Sequence, residues 1–441
     1  MLTAIFDIGK TNKKFFLFDD QLQEVHREYL HLPETMDEDG FPSEDLPALV
    51  QWMHETLEKA CRQFPVSRLN VSTYGASLVH LDGEGKPVTR LYNYTKPFPA
   101  GLEAELYESY GGKTAFSVQT ASPPLGMLNS GLQLYWLKKQ RPETFARIRH
   151  TLHFPQYCAY LFSGQMHTEY TSLGCHTALW DFRKRDYHEW VYREGLDRLF
   201  PPIVPATHTT TVNLFGKTIQ AGVGIHDSSA ALLPYLKAGQ GPFLLLSTGT
   251  WNIALNPFSQ DELTAEELGK DCLNYLRPDG QPVKAARLFF GHEFDRQLDV
   301  LNAHFGQASD FHQHLRFDPT MLEHCQGMQE PHFHFASLQY PDSSIRSAPA
   351  TDLSGFAAFP EAYYRLLWEL LQLQVHALRL AAGSTPLATL LVDGGFARNE
   401  VFLHLLQALL PGARVQASEE AMGSAMGAAM VGTYPMGKME H

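Results

Sequence analysis

Residues 2–18 read LTAIFDIGKTNKKFFLF, and this stretch decides the fold. An apolar run from Leu2 to Ile8 meets a turn at Gly9-Lys10-Thr11-Asn12, and a second extended run follows from Lys14 to Phe18. Gly9-Lys10-Thr11 resembles the end of a Walker A loop, but that motif needs a glycine at position 4 and a helix after the threonine. Position 4 is Ala4 and the following residues read as strand, which excludes a P-loop. What remains is a tight hairpin turn rich in backbone N–H groups and hydroxyls, preceded by Asp7. Successive amides in such a turn can cradle phosphate oxygens without a helix. Gly and Asn are equally at home in a plain hairpin turn with an exposed lysine.

Outward from this turn, Asp19-Asp20-Gln21 and the run Glu24 to Leu32 extend the pattern to a three-stranded antiparallel meander. From Asp45 to Phe64, apolar residues at three- and four-residue steps (Leu46, Leu49, Val50, Met53, Leu57, Cys61) predict an amphipathic helix, with Asp45 as N-cap and Pro47 in its first turn. Leu69 to Thr73 and Leu78 to Leu81 read as further strands. The second half repeats the opening in miniature: strand Phe243 to Leu246, turn Ser247-Thr248-Gly249-Thr250, strand Asn252 to Leu255. A long helix from Pro360 to Ala382, the strand Leu390-Leu391-Val392, the turn Asp393-Gly394-Gly395 and a helix from about Arg398 to Leu410 follow. The small-residue stretch Ala421 to Gly432 carries Gly423 and Gly427 four apart. It is too short to span a membrane, so close helix packing is expected. Strands mixed with helices in both halves favour an α/β protein of two related lobes.

The chain has 441 residues and a formal net charge of −13, from 35 Lys plus Arg against 48 Asp plus Glu. At about 150 residues per domain this length accommodates two or three domains. The acidic balance argues against nucleic acid or an anionic membrane as the main partner, since both are held by Lys and Arg stripes. Five scattered cysteines without a C-x-x-C point to neither a disulfide framework nor a thiolate zinc site. With no signal-like or 18-residue apolar segment, a cytoplasmic location is the expectation.

Four motifs in order carry a resemblance. They are Asp7-Ile8-Gly9-Lys10-Thr11-Asn12-Lys13-Lys14, Gly224-Ile225-His226-Asp227, Leu246-Ser247-Thr248-Gly249-Thr250-Trp251, and Val392-Asp393-Gly394-Gly395-Phe396-Ala397-Arg398-Asn399. With the closing small-residue helix they resemble the FGGY family of carbohydrate kinases along essentially the whole chain. The resemblance implies a two-lobed, actin-like (ribonuclease H-like) α/β fold with a central ATP and sugar cleft, one lobe over 1–225 and the other over 226–441. It implies that Asp7 holds a Mg²⁺ ion, that Gly9, Lys10, Thr11, Asn12 and Lys14 form one phosphate loop, and that Thr248, Gly249 and Thr250 form a second. Gly394, Gly395 and Asn399 then face the adenosine, and Asp227 matches the catalytic proton acceptor. Phosphoryl transfer needs such donors around the transferred group and a carboxylate near the attacking hydroxyl. Asp227 is also placed to cap a helix beginning at Ser228.

His226 before the aspartate, together with Thr168-Glu169-Tyr170-Thr171, looks more like the rhamnulokinase and fuculokinase branch than the glycerol or xylulose branches. By that analogy Gly75, His226, Asp227 and Ser228 contact a ketose, and the reaction is ATP-dependent phosphorylation of a 6-deoxy-ketohexose at C1. Two features depart from the family pattern. Lys10 stands where a small hydroxyl residue is usual, free to clamp the γ-phosphate or to point into solvent, and Tyr92-Asn93-Tyr94-Thr95-Lys96-Pro97 replaces an expected arginine or aspartate pair. The histidines at 304, 312, 314, 324, 332 and 334 read as surface residues of a variable region rather than a metal site. Competing readings keep the fold. An actin- or Hsp70-like nucleotide switch is disfavoured because little chain follows the terminal helix, and a sugar-responsive pseudokinase is suggested by Lys10 and the altered loop. The expected partners are ATP and a ketose, and a homodimer is left open.

Overall fold

The computed structural model describes residues 1–237, 241–340, 344–418 and 423–433. It divides into two compact units, one of residues 1–239, 274–282 and 422–441, the other of 240–273 and 283–421. The division anticipated at 225/226 falls within the two-residue strand Ile225–His226, inside the first unit.

The first unit is built on a mixed sheet whose central strand, Leu2–Ile8, is buried along its whole length. It pairs antiparallel with Lys13–Phe18, which pairs with Glu24–Leu30, so the expected meander is present. On its other side it runs parallel to Val66–Thr73. Ala4, Phe6 and Ile8 of this strand pack in one core cluster with Leu49 and Met53, and Ile5 packs in another with Ala230 and Ala428, so both of its faces are dry and the wet–dry alternation is lost. Ile225–His226 adds parallel to Ser72–Thr73. Ile8 and His226 therefore both lie opposite Thr73, and the Gly9 turn, Tyr74-Gly75 and Asp227 all leave the sheet at one edge. Chain segments leaving the carboxyl ends of parallel strands are where open α/β sheets place their ligands.

The helix Leu46–Gln63 begins as its sequence dictates, with the Asp45 side chain accepting from Ala48 N at 3.1 Å. It buries Leu46, Leu49, Met53 and Leu57, each worth about 1.5–3 kcal/mol of apolar burial. The helix Ser424–Met430 packs on the helix Asp227–Lys237. A Cβ on Gly427 would lie 1.8 Å from the Ala230 carbonyl oxygen, so the glycine permits a backbone contact no side chain allows. Residues Ala421 and Met422 of the predicted helix lie outside the described residues.

Within the second unit the order of strands is Pro282–Leu288, Asn252–Asn256, Leu244–Thr248, Thr389–Gly394, Arg414–Ala417. Leu244–Thr248 pairs antiparallel with Asn252–Asn256 and parallel with Thr389–Gly394, repeating the arrangement of Leu2–Ile8 in the first unit. The 24-residue helix Phe359–Ala382 packs against the helices Phe290–Phe305 and Glu400–Leu409. Where a turn was expected after Asp393, the strand continues to Gly394 and a 3-10 turn spans Gly395–Arg398.

One buried ion pair holds the first hairpin. Lys13, 1% exposed, lies 2.6 Å from Glu44 Oε1 and also donates to the carbonyls of Gly9 (3.1 Å) and Lys10 (3.0 Å). Glu44 in turn accepts from the Tyr74 hydroxyl at 3.1 Å. In a trans peptide the C=O and N–H point in opposite directions. With the Gly9 and Lys10 carbonyls drawn to Lys13, the N–H groups of Lys10 and Thr11 face away from it.

Replacing Lys13 by Met should cost about 3–5 kcal/mol in denaturant unfolding, because Glu44 is left as an unpaired buried charge. Lys10→Met should cost less than about 1 kcal/mol, since the exposed Lys10–Glu34 pair is screened by solvent. Gly427→Val should destabilise by about 1–3 kcal/mol or more through overpacking against Ala230, despite the gain in helix propensity over glycine.

Candidate active site

Asp7 is the penultimate residue of the central strand, with its carboxylate buried. Its Oδ1 accepts from Ser424 Oγ at 2.6 Å and its Oδ2 lies 3.9 Å from the Lys14 ammonium. Burial raises its pKa, with the charge of Asp227 pushing in the same direction. The Asp7 carboxylate, with Asp227 close enough to raise its cost of ionisation, offers oxygen donors of the kind a hard cation such as Mg²⁺ prefers. Among the described residues no cluster of three or more His, Cys, Asp or Glu forms a preassembled metal cage. A cation here would be shared with the ligand and water.

Lys10, Lys13 and Lys14, read together as a cationic turn, have three different fates. Lys13 is structural, and Lys14 faces Asp7. The Lys10 ammonium, rather than pointing freely into solvent, pairs with Glu34 at 2.7 Å and lies 5.9 Å from the Tyr74 ring centre. Glu34 also accepts from Asn93 at 3.5 Å. In the departing loop Lys96 is buried against Asp37 and Asp39, whereas Tyr94 packs edge-on against Tyr74 and has its phenol pKa raised by burial and by Asp227.

Asp227 is the first residue of its helix, and its Oδ1 accepts from Ser228 N at 2.6 Å and Ser228 Oγ at 3.2 Å, contacts with its immediate neighbour rather than with the amide two or three residues on that an N-cap engages. Burial lifts its pKa to about 6, which puts a carboxylate of increased basicity at the sheet edge. His226 lies alongside, Nε2 at 3.2 Å from Asp227 Oδ1 and 3.1 Å from Cys175 Sγ. Burial lowers the His226 pKa to about 4, so the ring is neutral at physiological pH. A Cβ on Gly75 would meet Cys175 Sγ at 2.5 Å and the His226 ring at 3.1 Å; only glycine lets this loop close over them. Gly75, His226, Asp227 and Ser228 thus come together as the sequence suggested. Tyr94 and Cys175 join them without a sequence signal, because their place depends on long-range packing.

In the second unit Thr248 is committed internally, its Oγ1 donating to Asp393 O at 2.5 Å and accepting from Phe396 N at 3.0 Å. This ties the Thr248-Gly249-Thr250 turn to the Gly394-Gly395 segment, as the parallel pairing of Thr248 with Gly394 requires. Gly291 at the start of Phe290–Phe305 abuts the Gly249 carbonyl. A cavity of about 450 Å³ opens beside Gly395, lined by Phe294, Asp295, His312, Arg316 and Asn399, a size that suits a nucleoside. Asn399, expected to face the adenosine, lines this cavity, and its side chain caps the helix Glu400–Leu409 through Phe402 N (3.0 Å) and donates to Tyr363 OH (2.7 Å). With both ends of its amide engaged, it shapes the cavity wall. His312, grouped above with surface histidines, is half-buried in this cavity, and burial lowers its pKa. Asp295, Gly291 and Arg316 had no motif to mark them.

No helix among the described residues is long and apolar enough to cross a membrane. The N-terminal domain description of the FGGY carbohydrate kinases matches residues 2–230, and the C-terminal domain description matches 229–439. A rhamnulokinase from Halalkalibacterium halodurans is 27% identical over 277 residues, covering 56% of this chain and 52% of the relative. The match thus spans about half the length of that curated relative. A carbohydrate kinase from Novosphingobium aromaticivorans superimposes with TM-score 0.81 at 26% identity, over 98% of this chain and 92% of that one. A ligand-bound xylulose kinase from Lactobacillus acidophilus superimposes with TM-score 0.73 at 14% identity, over 98% and 89%, a likeness of fold alone. Two whole-domain matches in sequence order, on a chain whose two units carry the hairpin turns and strand-end residues described, establish that it belongs to the FGGY family of carbohydrate kinases, phosphotransferases of the two-lobed, actin-like α/β fold.

Proposed function

We propose that this protein transfers the γ-phosphate of ATP to the C1 hydroxyl of a 6-deoxy-ketohexose, L-rhamnulose being the first candidate, with Asp227 as proton acceptor. The observation that carries the reading is the Asp227 carboxylate itself. It stands at the edge where three strand ends meet, its pKa raised to about 6 by burial, beside a neutral His226 and the side-chain-free Gly75. The hydroxyl oxygen bonds to the γ-phosphorus, the bridging P–O bond to ADP breaks, and the hydroxyl proton passes to Asp227. In a loose transition state that proton leaves late, so a base of pKa about 6 suffices. The N–H groups of Lys10 and Thr11, turned outward by Lys13, are donors for phosphate oxygens, and Lys14 adds a positive charge beside Asp7. The second-unit cavity beside Gly395 would receive the nucleoside. Asp7, with Asp227 nearby, would hold Mg²⁺, which when bound neutralises charge on the phosphates.

The similarity to a rhamnulokinase and the histidine before the aspartate support the sugar. A neutral imidazole can donate from one nitrogen and accept at the other, matching a sugar hydroxyl in either sense. L-fuculose, xylulose and ribulose are the competing substrates.

Asp227→Asn should lower kcat by about 10²–10⁴-fold while leaving ATP affinity within about twofold, measured by coupled ADP release and by nucleotide titration. Turnover near the parent's would remove Asp227 as base. Because the reacting form is the carboxylate and its pKa is raised, kcat/KM should fall as pH drops through about 6 and be level above it. A panel of L-rhamnulose, L-fuculose, xylulose, ribulose and glycerol, compared by kcat/KM, should be led by L-rhamnulose. A lead by glycerol or a pentulose would overturn the sugar assignment.

A further inference from the structure

Glu169 is fully buried, yet the reaction as proposed does not use it. It caps the short helix Tyr170–Leu173, Oε1 accepting from Thr171 N at 2.9 Å and Oε2 from Ser172 N at 3.2 Å. A serine or asparagine would cap the turn without placing an ionisable carboxyl in an apolar interior. The further contact distinguishes it. The Thr171 hydroxyl donates to Glu169 Oε2 at 2.6 Å and accepts from the backbone N–H of His226 at 3.0 Å. A carboxylate can only accept, so it draws the hydroxyl hydrogen to itself and leaves the Thr171 oxygen free to receive the His226 amide. That amide belongs to the residue immediately before Asp227, in a strand only two residues long. The helix Tyr170–Leu173 packs on that strand, and Glu169 is itself fixed in a strand pairing with Val204.

We propose that Glu169 and Thr171 are positioning residues for the Asp227 base, setting the position of the His226–Asp227 backbone through the carboxylate–hydroxyl–amide chain. The imidazole of His226 is held separately, by Cys175 and by Ser229 Oγ at 3.4 Å from Nδ1, so the two clamps act on different parts of one residue. The strand Ile225–His226 has few ladder bonds of its own, and the Thr171 contact supplies an anchor at the point where a small displacement would move the carboxylate away from its substrate.

The inference rests on Asp227 being the base, and the test separates the two. Full-length Thr171→Val, Thr171→Ser, Glu169→Gln and Glu169→Gln/Thr171→Val proteins are compared with Asp227→Asn, using the ketose of highest kcat/KM in the panel. Thr171→Val should lower kcat by about 10- to 100-fold with sugar KM within about twofold, and Thr171→Ser, which restores the hydroxyl, should return kcat to within about threefold of the parent. Glu169→Gln should lower kcat comparably, because its amide presents a donor to a donor. The double variant should be no slower than the slower single variant, since both break one chain. Nucleotide affinity and unfolding midpoint identify the folded fraction, and Thr171→Ser serves if the others fold poorly. Parent-like kcat in Thr171→Val beside an inactive Asp227→Asn overturns this inference alone, as do multiplicative losses in the double variant or equal kcat in Thr171→Ser and Thr171→Val. Normal turnover in Asp227→Asn removes the base and this inference with it.

Discussion

The arrangement of the first unit depends on a lysine that never reaches solvent. Lys13 neutralises Glu44 and gathers two carbonyls of the Gly9 turn, and because peptide planes are rigid this orients the opposite faces of the same peptides. Burying an ion pair gives no certain gain in stability, but breaking it is costly, so conformations of the turn that leave Glu44 unpaired are penalised. Glu44 also receives Tyr74, which leads into Gly75. One buried carboxylate thus couples the Gly9 turn to the loop that closes over His226. The proposed phosphate role of the turn's backbone amides is compatible with a net charge of −13, because their polarity is local and independent of net charge.

The second organising fact is repetition. In each unit an antiparallel hairpin has a parallel third strand at its side, and the hairpin turn and the end of the third strand emerge together: Gly9 with Tyr74 in one, Gly249 with Gly395 in the other. Each unit fastens its pair differently. The first uses the Lys13–Glu44–Tyr74 chain; the second uses Thr248, whose hydroxyl bridges Asp393 and Phe396. The same backbone frame therefore carries a carboxylate edge in the first unit and a nucleoside-sized cavity in the second.

Much of this was legible from residue order. The meander, the helix after Asp45, the repeated strand–turn–strand and the close packing at Gly427 follow from periodicity and local turn chemistry, and they stand within a residue or two of where they were read. Side chains whose partners are distant in sequence were not legible. Lys10 and Lys13 are three residues apart in one turn, but one meets Glu34 near the surface and the other meets Glu44 in the interior. Asn399 carries a family motif, yet its amide is spent on a helix cap and a tyrosine. His312 belongs to a histidine-rich stretch of no apparent pattern and nonetheless lines the cavity beside Gly395.

The sequence by itself determined the α/β class, the order of elements, the paired turns and the family motifs that single out Asp7 and Asp227, because apolar periodicity and turn residues act over a few positions and ordered motifs add up along the chain. Only the tertiary structure decided which cations are structural, which loop residues face Asp227, and that Glu169 reaches His226 through Thr171. The physical reason is burial. Desolvation raises the pKa of Asp227 and lowers that of His226, favouring the neutral form of each, and whether a group is desolvated depends on segments dozens to hundreds of residues away.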